Sequence, residues 1–110
     1  MAASPAVAAH RRAGVPPRPP LTPRWALLPW VWDDRGSDND FRPDGNNAHH
    51  TAAVLDLVDG YRQAGIPVGT VILDSPWSTN YNTFRFDPRR YNGPAGLIQA
   101  LHARGIRVVA

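Results

Sequence analysis

The chain reads as an α/β fold in the order strand, helix, strand, helix, strand. Three observations predict this. Apolar runs at 25–32, 68–73 and 106–110 alternate with two stretches of helical periodicity. Glycine and proline stop each helix just before the next strand. The middle run, VGTVIL, is apolar on both faces, as a parallel strand beneath helices is. Strand starts at 25, 68 and 106 lie 43 and 38 residues apart. That fits the opening of a (β/α)8 TIM barrel with enlarged loops, or the first half of an open doubly wound sheet. No glycine-rich phosphate loop follows either early strand, which counts against a nucleotide-binding open sheet. A whole barrel takes about 250 residues. The 110 residues therefore read as an incomplete βαβαβ fragment holding three of its strands.

Residues 1–24 hold six of the twelve prolines and are expected to be an extended linker or disordered tail. Residues 25–110 form the folded portion. WALLPWVW, 25–32, is a continuous apolar run of strand length, although Pro29 sits awkwardly inside it. Residues 33–50 are a long polar loop rich in Asp, Asn and Gly, of the kind that is more often functional than decorative. TAAVLDLVDGYRQAG, 51–65, is a helix with Thr51 as its N-cap and Val54, Leu55, Val58 and Tyr61 on one face. Gly65 suits the position after its end, and Pro67 enforces the stop. Strand 68–73 follows, then a second long loop over 75–92. Pro94 begins a helix that runs to Arg104, with Leu97, Ile98 and Leu101 on one face and Gly105 beyond it. Ile106 opens the third strand.

All 12 basic residues are Arg and all 9 acidic residues are Asp, with no Lys, Glu or Cys. The lack of Cys excludes disulfides, thiolate metal sites and a Cys nucleophile. The net charge of +3 comes from the four Arg of residues 1–32, because residues 33–110 carry eight Arg against nine Asp. A thin basic tail of this kind is read as solvated, so no nucleic-acid partner is expected. No run reaches the ~18 apolar residues of a membrane span. Pro5 interrupts the Ala-rich start, which lacks the pattern of a secretory signal, so the reading favours the cytoplasm. His49-His50 has no third ligand at metal spacing, and neither a metal nor a cofactor is expected. Oligomeric state is left open.

The candidate site lies at the carboxyl ends of the strands, where ligands bind in parallel α/β folds. Asp74 ends the second strand, and Trp77 follows. A carboxylate beside an indole looks like a sugar subsite, since the acid accepts from hydroxyls and the indole offers an apolar face. From position alone, Asp74 is as readily a turn cap and Trp77 as readily a lid. Trp30 and Trp32 share a face of the first strand, where one of them is expected to fill the barrel interior. Trp32 and Asp34 are the substrate-binding candidates there. Asp33 and Asp34 could equally pair with Arg35. Asp87 before Pro88 is read as a turn start. Ser75 lacks a nucleophile elbow.

Several segments together resemble glycoside hydrolase family 31, the α-glucosidase and α-xylosidase family. They are PPLTPRWALLPW, then YRQAGIPVGTVILD, an aromatic, FRFDPRRY, and LIQALHARGIRVV, in that order and near the family's spacing. The resemblance implies an N-terminal part of a retaining α-glycosidase barrel acting on carbohydrate. It implies that Asp74 lies in the −1 subsite and binds sugar hydroxyls. It also implies that the nucleophile and the acid/base lie beyond Ala110, so no catalytic residue is assigned and the chain is expected to be inactive alone. Departures from the pattern are Pro76 where a second Asp is common, Asp33-Asp34 where an Arg–aromatic pair is common, and Tyr91-Asn92-Gly93-Pro94 in place of an F-P-D-P turn. The related α-galactosidase families share the Trp-led strand and the acidic strand end. A fragment of one of those, or a non-catalytic carbohydrate-binding or structural protein, is the alternative.

Overall fold

The structure, a computed structural model, describes residues 19–33, 35 and 49–110. Most of the tail 1–24, most of the loop 33–50, and Asp34 with it lie outside the described residues. The elements are α1 (Arg24–Leu27), β1 (Trp30–Val31), α2 (Thr51–Gln63), β2 (Thr70–Ile72), α3 (Pro94–Ala103) and β3 (Arg107–Val109). The strands form one parallel sheet in the order β1-β2-β3. The register aligns Trp30 with Thr70 and Arg107, and Val31 with Val71 and Val108.

The eight-residue first strand expected over 25–32 is not formed. Residues 24–27 make a helical turn, and only Trp30 and Val31 pair with β2. Two prolines explain the difference. Pro23 accepts from the Ala26 N–H at 3.0 Å and so starts the turn. Leu28 precedes Pro29, whose ring drives it to an extended conformation (φ −83°, ψ 161°) and ends the turn. Pro29 has no N–H to give, but its carbonyl accepts from Gly69 at 3.0 Å and opens the ladder. Gly69 is needed at that contact. A Cβ there would lie 2.0 Å from the Trp25 carbonyl oxygen and 2.8 Å from Leu28 Cβ.

Both long helices end in the same device. After α2, Gly65 (φ 73°) donates to the Arg62 carbonyl and Ile66 to the Tyr61 carbonyl. After α3, Gly105 (φ 76°) donates to His102 and Ile106 to Leu101. These are Schellman motifs, which satisfy otherwise orphaned carbonyls and turn the chain toward the next strand. The start of α2 differs from expectation. Its N-cap is His50, in an extended conformation, with Nδ1 accepting from the Ala53 N–H at 3.4 Å. Thr51 is already the first helical residue, and its hydroxyl is buried without a partner among the described residues.

The core lies between the helices and one face of the sheet. Val31, Val71 and Leu73 meet Val54 and Val58 of α2 and Leu97 and Leu101 of α3, with Tyr91 and Ile106 alongside. Each such side chain contributes about 1.5–3 kcal/mol when fully buried. Arg104 joins the helices from outside the core. It donates to both oxygens of Asp59, at 2.9 and 3.0 Å, and to the Ala100 carbonyl at 2.9 Å. The opposite face of the sheet is covered only around Thr70, which is fully buried. Trp30 is 44% exposed, Trp32 52% and Val109 41%, so neither tryptophan fills an interior in this chain. Three strands do not enclose a volume, and Trp30 instead packs on Trp25 with ring centroids 6.2 Å apart.

Candidate functional site

The parallel register brings the ends of β1 and β2 together. Val31 pairs with Val71, which sets Trp32 level with Ile72 and Asp33 level with Leu73, just below Asp74. This is the carboxyl end of the sheet. Asp74 is exposed, although Leu73 before it is only 2% exposed. Its Oδ1 accepts from the Ser75 N–H at 2.7 Å, so one oxygen closes the local turn. Oδ2 has no hydrogen bond among the described residues. Asp33 is already engaged. Arg35 donates to both of its oxygens, from Nε and Nη2, and from its backbone N–H at 3.1 Å. Those hydrogen bonds hold the Asp33 carboxyl below the usual carboxylate value. Asp33 is thus committed to Arg35 two residues on.

Beyond Asp74 the chain builds a small antiparallel hairpin. Ser78 pairs with Phe86, Asp87 donates to the Trp77 carbonyl at 3.0 Å, and Thr79 donates to the Arg85 carbonyl at 2.9 Å. Trp77 is half-buried and meets Phe86 edge to face at 5.0 Å; Phe86 meets Tyr91 in the same manner at 5.8 Å. This row of rings roots the hairpin in the core. Asp87 fixes its far end. The carbonyl of Asp87 accepts from Arg90 and Tyr91, and its carboxylate accepts from the backbone and side chain of Arg89. The Arg89 hydrogen bonds hold this buried carboxyl below its usual value. The turn expected from Asp87-Pro88 is therefore present. The Thr51 N–H donates to the Arg90 carbonyl at 3.2 Å and fastens the turn to the start of α2.

The hairpin encloses a cleft of about 400 Å³. Trp77 lines it with Ser78, Thr79, Asn80, Tyr81 and Phe84, and Arg89 and Arg90 are also in the lining. The lining is aromatic rings among hydroxyls and amides, a surface able to hold a polar ring with apolar faces. Of the four sequence candidates, only Trp77 lines this cleft. Asp74 lies one residue outside it, Trp32 stands exposed at the end of β1, and Asp34 is outside the described residues. The tip residues Tyr81 and Phe84 were missed by the sequence reading. A signal for them exists: Asn80-Tyr81-Asn82 sits between Trp77-x-Thr79 and Phe84-x-Phe86, an alternation interrupted by turn formers.

The profile of the Glycosyl hydrolases family 31 TIM-barrel domain matches residues 19–110, which spans every described element. The chain belongs to glycoside hydrolase family 31. The α-xylosidase XylQ of Lactiplantibacillus pentosus is 26% identical to it over 90 residues, covering 80% of this chain and 10% of that protein. The chain thus spans about a tenth of the length of this relative. No solved structure matches. The parallel three-stranded sheet with its helices is consistent with the α/β architecture of that domain family. No helix among the described residues is long and apolar enough to cross a membrane. No group of three metal-ligating side chains occurs among the described residues.

Proposed function

We propose that this chain forms the opening strands of the barrel of a retaining α-glycosidase. In this reading it supplies part of the sugar-binding surface and none of the catalytic carboxylates. The observation that carries it is Asp74. An acid stands two residues beyond β2, after buried Val71 and Leu73; it is itself exposed, and one of its oxygens has no protein partner among the described residues. Packing does not call for a carboxylate there, but a sugar hydroxyl does. Trp32, level with the end of β2, offers a ring face on the adjacent strand.

Retaining hydrolysis needs two carboxyl groups about 5–5.5 Å apart. One attacks the anomeric carbon as the other protonates the leaving oxygen, and the second then activates water. Asp33 and Asp87 are occupied by Arg35 and Arg89, and Asp59 by Arg104. The two catalytic groups would come from later barrel strands. The substrate class is an α-glycoside. The α-xylosidase relative makes a xyloside as natural a candidate as a glucoside, so comparing the two aryl α-glycosides is the first specificity test. The 110-residue chain alone is expected to turn over neither.

The decisive experiment is Asp74→Asn in the glycosidase that carries this segment. Asn keeps an oxygen to accept from Ser75 and removes the charge facing the sugar. A hydrogen bond to a charged group is worth ~1.5–3 kcal/mol, so kcat/KM should fall roughly 10- to 150-fold. Thermal stability should be unchanged. Unchanged activity, or activity and stability falling together, would make Asp74 a turn cap only.

A further inference from the structure

The hairpin tip holds two large rings out to solvent in a conformation that folding alone does not favour. Tyr81 is 85% exposed and Phe84 77% exposed. Phe84 has φ 51° and Asn82 φ 61°. A left-handed Phe is an outlier, and such strain persists only where the surroundings over-determine it. Here they do. The Asn80 carbonyl accepts from the Thr83 N–H at 3.2 Å, from the Thr83 hydroxyl at 3.0 Å and from the Ser78 hydroxyl at 2.9 Å. Asn80 Oδ1 accepts from the Tyr81 N–H at 2.7 Å, and the Thr79 and Thr83 hydroxyls share a hydrogen bond of 2.9 Å. A dense polar network thus fixes a tip whose product is two exposed rings on the rim of the cleft.

We propose that Tyr81 and Phe84 form a second sugar position, which receives the pyranose next to the one bound at the strand end. This rests on the α-glycosidase reading and deepens it. The chemistry of the lining selects the occupant. A pyranose presents C–H faces that pack on aromatic rings and equatorial hydroxyls that suit the amides of Asn80 and Asn82. The cleft offers both, and its ion pair Asp87–Arg89 is satisfied internally. Asp74 is not part of the lining. The strand-end acid therefore borders the cleft, whose lining begins at Ser75, while the two rings stand on the hairpin tip. A tip fixed before binding loses little entropy on stacking, which favours a platform over a mobile lid. The enzyme would then prefer α-linked oligosaccharides to glycosides of small aglycones.

The test is a titration of the 110-residue chain with maltotriose and with an α-xylosyl-glucose disaccharide, followed by the backbone amide spectrum. Free glucose and xylose are the controls. Amides of 77–85 should shift with the oligosaccharides at millimolar concentration and not with the monosaccharides. Phe84→Gly and Tyr81→Ala should each weaken oligosaccharide binding at least about threefold. Gly adopts the tip conformation without strain, so Phe84→Gly should melt no lower than the unsubstituted chain, which separates lost stacking from lost folding. Unchanged affinity in both variants, or no shift in 77–85 with either oligosaccharide, overturns the second position. The strand-end reading is judged separately, by the Asp74→Asn kinetics.

Discussion

Replacing Gly69 by Ala should unseat α1 from β2, while the same replacement at Gly60 should stabilise the chain. At Gly69 the new Cβ would stand 2.0 Å from a backbone oxygen, that of Trp25, which no rotamer change can move. Reaching ordinary contact at 3.4 Å requires the two segments to part by about 1.4 Å. Gly69 and Thr70 both donate to Pro29, at 3.0 and 3.4 Å, and a separation of that size forfeits both bonds. Overpacking costs about 1–3 kcal/mol and each of the two net hydrogen bonds about 1 kcal/mol, so the total loss is roughly 3–5 kcal/mol. For a small domain that is a large share of its stability. At Gly60 nothing lies within 4 Å of the new Cβ, and the residue is inside α2. Ala is better than Gly there by about 0.8–1 kcal/mol. Chemical denaturation followed by far-ultraviolet circular dichroism gives both midpoints. A Gly69→Ala midpoint at or above that of the unsubstituted chain, alongside the expected rise for Gly60→Ala, would mean that α1 does not lie against β2. The consequence reaches the candidate site, because Trp32 and Asp74 lie just beyond the ends of β1 and β2.

Acid should erode stability through the arginine-paired carboxylates. The hydrogen bonds of Arg104 lower the Asp59 carboxyl and those of Arg89 lower Asp87; their contribution is full above the unfolded value near ~3.9 and disappears as pH falls through the lower folded values. Urea midpoints measured from neutral pH down to about pH 2 should drop below about pH 4, and Asp59→Asn should flatten that drop. At the alkaline end, burial pushes the Tyr91 phenol up to about 12. Its stabilisation holds below the unfolded value near ~10 and is lost as pH rises through the folded one, so Tyr91→Phe should resist alkaline unfolding better. At neutral pH Tyr91→Phe should be neutral or stabilising by up to ~1 kcal/mol, because the hydroxyl is buried without a hydrogen bond among the described residues; a clear destabilisation would reveal a partner.

What was legible in the sequence was whatever local chemistry decides. The ends of α2 and α3 are set by Gly65 and Gly105, each at a position that demands left-handed backbone, and both were readable. The buried faces followed from spacing: Val54, Val58, Leu97 and Leu101 are the buried residues of those helices. The first strand was misread because hydrophobicity marks burial and not conformation. WALLPWVW is apolar throughout, yet Pro23 and Pro29 cut it into a helical turn and a two-residue strand. The N-cap was misplaced by one residue, because His50 caps through a ring nitrogen where a hydroxyl was expected. Asp74 was expected directly after a strand over 68–73, whereas β2 runs only from Thr70 to Ile72 and stops two residues before it. The cleft was not legible, because it depends on a hairpin whose pairing, Ser78 with Phe86, crosses a polar loop.

Pro76 links these observations. Where this family often carries a second Asp two residues after the strand-end acid, the chain has a residue without charge or N–H. Among the described residues Asp74 is left as the only carboxylate following β2 at this position, with one oxygen committed to Ser75. A single half-engaged acid can orient one hydroxyl pair but discriminates poorly among sugars that share it. Immediately after Pro76 the chain supplies Trp77 and then the strained, hydrogen-bonded tip with Tyr81 and Phe84. Aromatic stacking reads the shape of a ring face, and the Asn amides read the positions of its hydroxyls. In the proposed reading, selectivity at this end of the sheet rests on shape at the hairpin more than on charge at the strand end. It follows that restoring an acid with Pro76→Asp should alter affinity for the first sugar more than preference for chain length. Substitutions at Tyr81 and Phe84 should do the reverse. Steady-state kinetics on a monosaccharide glycoside and an oligosaccharide, compared across these variants, separate the two effects. If both kinds of substitution shift the same parameter, the strand end and the hairpin are one subsite and not two.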